Sequence, residues 1–147
     1  MMNAQAMNRE IDILLVEDNP ADIRLTQEAF KETRLRCKLH IARDGAEALE
    51  FLRQNGRFAA APRPDMILLD LNLPKKDGRE VLAEVKNEPQ LKRIPIVVLT
   101  TSNDEHDIRH TYDNHANCFI TKPAGLDDFV EVVKKVEEFW LQIARLP

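Results

Sequence analysis

Five short apolar segments alternate with segments of helical spacing, and this alternation restricts the possible folds more than any other feature of the chain. The strand-like segments are rich in branched side chains, and we place them at residues 11–16, 37–42, 65–69, 94–99 and 116–120. The helical segments repeat apolar residues every three or four positions, and we place them at residues 21–33, 45–54, 77–86, 104–115 and 126–143. Such alternation predicts an α/β fold, a doubly wound parallel sheet with helices on both faces.

The size of the chain fits one domain. It has 147 residues, and we predict a loose polar tail at residues 1–10 followed by one domain at residues 11–147. Because the sequence ends with the last predicted helix, we expect no separate output domain. The net charge of −4 gives no reason to expect binding to nucleic acid. No apolar run is long enough for a membrane span, so we expect no membrane partner.

The two cysteines indicate a cellular compartment. Cys37 and Cys118 lie in apolar strand-like segments and form no CxxC pair. Buried free thiols are typical of proteins kept in a reducing environment. The beginning of the chain also lacks the basic start and apolar centre of a secretory signal. We therefore predict a cytoplasmic protein.

Polar side chains follow four of the five predicted strands. Glu17 and Asp18 come after the first strand, Asp70 after the third, Thr100 after the fourth and Lys122 after the fifth. In open α/β sheets, ligands bind outside the carboxyl ends of the strands. We therefore expect these side chains to converge on one site.

The composition of this site indicates phosphoryl chemistry. Three carboxylates at one place repel each other, and a hard cation such as Mg²⁺, which prefers oxygen ligands, relieves the repulsion. Lys122 supplies a further positive charge suited to a phosphate, and the Thr100 hydroxyl can donate to a phosphoryl oxygen. An aspartate can act as the nucleophile in phosphoryl transfer. The pattern predicts a phosphoryl acceptor that requires a metal ion.

Taken in order, these motifs resemble the motif set of bacterial response-regulator receiver domains. The set comprises Glu17-Asp18, Asp70 in DLNLP followed by Gly78, Thr100 in VVLTT, and Lys122-Pro123. The resemblance extends from about Ile11 to the last helix. It implies the flavodoxin-like receiver fold, with five parallel strands in the order 2-1-3-4-5.

The resemblance also implies roles at the metal site. Asp70 would be the phosphoacceptor. Asp18, Asp70 and the backbone carbonyl of Asn72 would bind Mg²⁺ directly, and Glu17 would act through a water molecule. The protein would therefore be a phosphorylated signalling protein and not an enzyme.

Three further residues take roles in signalling from the resemblance. Lys122 would contact the phosphoryl group, and the Lys122–Pro123 peptide bond would be cis. Thr100 would follow the phosphoryl group when it arrives, and Phe119 occupies the position of the switch aromatic residue. Phosphorylation would thereby change the surface formed by the predicted helix at residues 104–115, the fifth strand and the last helix.

Within this family, the sequence is similar to the small single-domain regulators that are paired with bacterial phytochromes. The similarity lies in EDNPAD, in the long loop before the third strand and in the ending EEFWLQIARLP. It implies that the phosphoryl donor is a histidine kinase of the phytochrome type and that the regulator dimerises. The downstream protein is not identified by the sequence.

The last predicted helix has a wide apolar surface. At about 100° per residue, its apolar positions cover an arc of roughly 200°, whereas a helix that only covers a core needs about 100°. The surplus lies around Val132, Val136, Phe139 and Ile143. We therefore expect a symmetric homodimer with this helix at its centre.

Three other functions remain as alternatives. An aspartate-nucleophile phosphatase normally carries a second aspartate two residues after the nucleophile, where this chain has Asn72. A flavin-binding module needs a phosphate-cradling loop after the first strand, where this chain has Glu17-Asp18-Asn19-Pro20. A receiver-like interaction module that is never phosphorylated does not need the intact set of acidic residues.

Overall fold

The computed structural model describes residues 10–101, 109, 118–123 and 125–144, with side chains as far as Leu141. Five parallel strands form one sheet in the order β2-β1-β3-β4-β5, so the predicted order is confirmed. The strands are β1 (Ile11–Val16), β2 (Cys37–Ala42), β3 (Met66–Leu69), β4 (Ile96–Thr100) and β5 (Cys118–Thr121).

Four helices are described. They are α1 (Pro20–Lys31), α2 (Gly45–Arg53), α3 (Gly78–Asn87) and the C-terminal helix (Leu126–Ala144). A short 3₁₀ helix, Gly56–Phe58, follows α2. The predicted helix at residues 104–115 lies outside the described residues except for residue 109. None of the described helices is long and apolar enough to cross a membrane.

Side-chain caps fix where three helices begin. The Asn19 carboxamide oxygen accepts hydrogen bonds from the backbone N–H groups of Ala21 and Asp22, at 2.9 and 3.1 Å, and Pro20 occupies the first helical turn. Asp44 and Asp77 cap α2 and α3 in the same way. Such caps satisfy N–H groups that have no partner within the helix. Because the cap at Asn19 comes three residues after Val16, α1 begins beside the carboxyl end of β1.

The sheet is covered on both faces, which explains why its central strands are continuous apolar runs. One core packs α2 and α3 against alternate residues of β1, β3 and β4, including Leu14, Ile67 and Val98. The other core packs α1 and the C-terminal helix against the intervening residues, including Ile13, Leu68 and Val97. Every residue named here is at most 1% exposed.

More of the apolar surface of the C-terminal helix is buried within the chain than we expected. Val132 and Val136 are 8% and 2% exposed, and they lie in the same core as α1. The prediction that they form an unused surface is therefore wrong. The physical reason is that this helix contacts both the sheet and α1, so two contacts at different angles share the arc. Phe139 is only partly buried, and the Ile143 side chain lies outside the described residues.

Candidate functional site

The structure brings three predicted acidic residues together at the carboxyl edge of the sheet. Val16 of β1 pairs with Leu69 of β3, so the residues that follow these two strands are neighbours. One carboxylate oxygen from each of Glu17, Asp18 and Asp70 lies within 4.8 Å of the others. Glu17 and Asp70 are buried, whereas Asp18 is exposed. The cluster is thus open to solvent on one side.

Lys122 reaches this cluster from the end of β5. Its backbone N–H donates to the Thr100 carbonyl oxygen at 2.8 Å, which holds it beside β4. Its ammonium nitrogen, Nζ, lies 2.9 Å from Asp70 Oδ2 and 2.8 Å from Asp22 Oδ2, and it also forms an ion pair with Glu17. The side chain is 4% exposed. Lys122 therefore acts as a buried counter-charge in the site, as its place after the fifth predicted strand indicated.

Protonation at the site reflects both burial and the neighbouring charges. Burial raises the pKa of Glu17 to about 7, and the nearby Asp70 carboxylate adds to the increase, although contact with Lys122 opposes it. Burial alone would lower the pKa of Lys122, but hydrogen bonds to Asp22, Glu17 and Asp70 outweigh this and raise its pKa above the ordinary value. Negative charge is therefore in excess around the single ammonium group of the described site.

A divalent cation fits this arrangement. The carboxylates of Glu17, Asp18 and Asp70 converge, and Glu17 has a pKa near neutrality because burial and the negative charge of Asp70 disfavour its ionised form. A hard cation, which prefers oxygen ligands, would stabilise all three carboxylates in the ionised form. An open cavity of about 380 Å³ adjoins these groups. The described residues that line it are Glu17, Asp18, Asn19, Pro20, Asp22, Asp70, Asn72, Thr101 and Lys122.

Thr100 and Asn72 complete the inner part of the site. Thr100 is fully buried, and its hydroxyl oxygen lies 3.4 Å from the Asn72 side-chain nitrogen, which donates to it. The Asn72 backbone N–H donates to Asp70 Oδ1 at 3.0 Å. The two oxygens of the Asp70 carboxylate therefore have different partners, Asn72 and Lys122. These contacts hold the carboxylate in one orientation.

Phe119 lies outside the acidic cavity. It is partly buried against the core beneath α2 and α3, and it lines a second cavity of about 480 Å³ beside β5. Val132, Val136 and Phe139 of the C-terminal helix line the same cavity. The residue predicted to be the switch aromatic and part of the predicted dimer surface are therefore adjacent.

Two features of the site differ from the sequence-based expectations. Asp22 and Thr101 were not predicted as site residues, yet both line the acidic cavity. The signal for Asp22 was its place in the first turn of a helix that follows β1, because that turn lies beside the strand ends. The described part of the chain contains no cis peptide bond, so the expected cis bond at Lys122–Pro123 is wrong. The trans form is the favoured isomer even before proline.

Comparisons with known proteins agree with this geometry. Residues 13–134 match the response regulator receiver domain family. The chain is 55% identical over 135 residues to response regulator Rcp1 of Synechocystis sp., covering 92% of each protein. It is similar to the phosphorylated cyanobacterial phytochrome response regulator RcpA, with a TM-score of 0.88 and 59% identity over 95% of this chain and 99% of that one. It is also similar to the Mn²⁺-bound form of Rcp1, with a TM-score of 0.85 and 54% identity over 93% and 99% of the two chains.

Proposed function

The chain belongs to the response regulator receiver domain family, and we propose that it takes a phosphoryl group from a histidine kinase onto Asp70. One observation carries the choice of residue. Asp70 is the member of the acidic cluster whose carboxylate contacts both the Lys122 ammonium, at 2.9 Å, and Asn72, the residue that donates to the Thr100 hydroxyl. A nucleophile at this position is next to the groups that stabilise a transferred phosphoryl group.

The residues of the site have separate tasks in this transfer. A carboxylate oxygen of Asp70 forms the new bond to phosphorus, while the bond from phosphorus to the donor's histidine nitrogen breaks. The Lys122 ammonium and the Thr100 hydroxyl donate hydrogen bonds to the phosphoryl oxygens. Because both donors are buried, these hydrogen bonds are stronger than they would be in water.

We assign the divalent cation as Mg²⁺. Asp18, Asp70 and the backbone carbonyl of Asn72 would hold it, with Glu17 acting through water, and its charge would offset that of the carboxylates and the phosphoryl oxygens. The support is the carboxylate cluster described above and the similarity to the Mn²⁺-bound form of Rcp1. In this proposal the protein is a phosphoacceptor and not an enzyme that turns over a free substrate.

The proposal also includes a kinase and an output surface. Because RcpA is a phytochrome response regulator, we propose a phytochrome-type histidine kinase as the donor. The signal would pass through Thr100 and Phe119 to the surface beside β5 and the C-terminal helix, where a second copy of the chain and a downstream protein would bind. A cytoplasmic location is supported by the two free cysteines, Cys37 and Cys118.

The phosphoacceptor assignment is tested by intact mass spectrometry. The protein is incubated with acetyl phosphate and Mg²⁺, and we expect the parent to gain the mass of one phosphoryl group. Asp70→Asn should gain none, because an amide is a far weaker nucleophile than a carboxylate. Asp128→Asn, an exposed aspartate on the C-terminal helix, is the matched control and should label like the parent. Equal labelling of Asp70→Asn and the control would refute the assignment.

A further inference from the structure

The Lys122 ammonium has as many carboxylate partners as it has hydrogens. Its nitrogen carries three hydrogens and contacts the carboxylates of Glu17, Asp22 and Asp70. The Asp22 distance, 2.8 Å, is as short as the Asp70 distance of 2.9 Å. A phosphoryl oxygen at Asp70 therefore meets an ammonium whose donor capacity is already in use.

Asp22 differs from the other two partners. It lies in the first turn of α1, it is 23% exposed at its side chain, and it is not part of the three-carboxylate cluster. Its backbone groups have their own partners, because Asp22 N–H donates to Asn19 and its carbonyl accepts from the Thr26 hydroxyl. The Asp22 carboxylate is thus not needed for these local contacts, and the partner described for it is Lys122.

The negative charge of Asp22 and its hydrogen bond with Lys122 both disfavour a phosphoryl group on Asp70. The Asp22 carboxylate lines the cavity into which a phosphoryl group would enter, so it repels a dianion. It also accepts a hydrogen bond that a phosphoryl oxygen would otherwise accept. Consistent with this contact, the hydrogen bond to Asp22 is one of the interactions that raise the pKa of Lys122 against the effect of burial.

We propose that Asp22 is a positioning residue that competes with the phosphoryl group on Asp70 for the Lys122 ammonium. The inference rests on the proposed function, because it concerns the same phosphoacceptor. By this competition Asp22 weakens the phosphorylated state, whereas Glu17 and Asp18 serve the cation. Asp22 therefore sets how strongly the site retains its phosphoryl group.

Equilibrium binding of beryllium trifluoride, a phosphoryl mimic, at saturating Mg²⁺ tests this proposal. Asp22→Asn keeps the size of the side chain and removes its charge, and we expect it to bind the mimic about three- to tenfold more tightly than the parent. Asp22→Ala, which also removes the acceptor, should bind at least as tightly as Asp22→Asn. Glu28→Gln removes the same charge from α1 at a residue that pairs with Arg24 and Lys31, and it should bind like the parent.

A repeat at high salt separates contact from distant repulsion. In about 1 M salt the Debye length is near 3 Å, so an effect of charge through solvent largely disappears, whereas an effect through a partly buried contact persists. We expect the ratio between Asp22→Asn and the parent to be retained. A gain that vanishes in salt, or affinity in Asp22→Asn equal to or below that of the parent, would overturn the proposal.

Failure of the proposed function gives a different result. If Asp70 is not the phosphoacceptor, Asp70→Asn is labelled by acetyl phosphate as the parent is, or the parent itself is neither labelled nor binds the mimic. If only the role of Asp22 is wrong, the parent is labelled and binds the mimic, but Asp22→Asn shows no gain. Mg²⁺ affinity in the absence of the mimic gives a second readout, and Asp22→Asn should not increase it, because a negative charge has been removed.

Discussion

Gly78 shows how closely the backbone packs behind the phosphoacceptor. A Cβ atom at this position would lie 2.2 Å from the Asp70 carbonyl oxygen and 2.6 Å from Leu71 Cα. The Gly78 N–H also donates to the Leu71 carbonyl oxygen at 3.0 Å. The beginning of α3 therefore lies directly against the end of β3, and only a residue without a side chain fits there.

Gly78→Ala should both destabilise the protein and impair phosphorylation. Forcing a methyl group against backbone costs about 1–3 kcal/mol and displaces the Asp70 carboxylate from Lys122. Chemical denaturation and acetyl phosphate labelling measure the two effects. Gly125→Ala is the control, because a Cβ atom there meets no atom of the described residues within 4 Å. Equal stability and labelling of the two variants would contradict this account of Gly78.

At the residue scale, the sequence predicted the charges that follow strands and missed the one on a helix. Glu17, Asp70 and Lys122 were found because the carboxyl ends of parallel strands meet at one edge. Asp22 was missed because its direction depends on where α1 begins and on how the helix is rotated. Those quantities depend on the Asn19 cap and on packing against the sheet, which spacing alone does not give.

At the scale of elements, an ion-pair network joins α2, α3 and the loop that precedes α3. The Arg53 guanidinium contacts Glu84 at 3.1 Å and also contacts Glu88, and Lys76 contacts Glu84. The hydrogen bond from Lys76 lowers the pKa of Glu84, and the hydrogen bond from Arg53 adds to this effect. Because Lys76 belongs to the loop that begins at Asp70, the network helps to hold that loop.

Glu84→Gln should destabilise the protein in a pH-dependent way. The folded pKa of Glu84 lies below its unfolded value, so its contribution is present above the unfolded pKa and is lost as pH falls through the folded pKa. Glu84 is about one-third exposed, so we expect a loss of less than about 1 kcal/mol at neutral pH. In urea unfolding, the difference in stability from the parent should shrink as the pH falls below the unfolded pKa of Glu84. Glu138→Gln, at an exposed position, should show little loss at either pH, and a pH-independent loss in Glu84→Gln would contradict the assignment.

Element types were predictable, and their contacts were less so. Period-two and helical patterns located the described strands and helices to within about two residues, as for α3, which begins at Gly78 because Asp77 is its cap. The C-terminal helix was predicted as a helix, but its free surface was overestimated. An apolar arc read from sequence does not reveal how many neighbours share it, and here the sheet and α1 both do.

At the scale of the whole molecule, the acidic site and the surface beside β5 are joined through two adjacent strands. Thr100 ends β4 within the site, and Val98 of β4 pairs with Phe119 of β5. Phe119 in turn borders the cavity of about 480 Å³ that Phe139 also lines. Thr100 is therefore two residues along β4 from Val98, and Val98 is paired with Phe119 at the edge of the predicted dimer surface. A movement of Thr100 would have this short route to that surface.

The homodimer remains a prediction, and its surface is narrower than the sequence indicated. Since Val132 and Val136 are core residues, a charge at either would test folding as much as assembly. Phe139 is a partly buried aromatic residue of the C-terminal helix that lines the cavity beside β5, and aromatic residues are common interface anchors. It is therefore the residue at which assembly is best tested.

Sedimentation velocity at micromolar concentration should show a dimer for the parent and a monomer for Phe139→Glu, because a buried interface does not tolerate an unpaired carboxylate. Leu126→Glu is the matched control: it places the same charge on the same helix, at an apolar residue that is 43% exposed and far along the helix from Phe139. The control should remain dimeric, and thermal unfolding should show both variants folded.

Each protein is measured with and without Mg²⁺ and beryllium trifluoride, because we propose that the phosphoryl mimic acts at Thr100 and shifts Phe119. A folded parent that is monomeric under both conditions would refute the dimer while leaving the assignment of Asp70 intact.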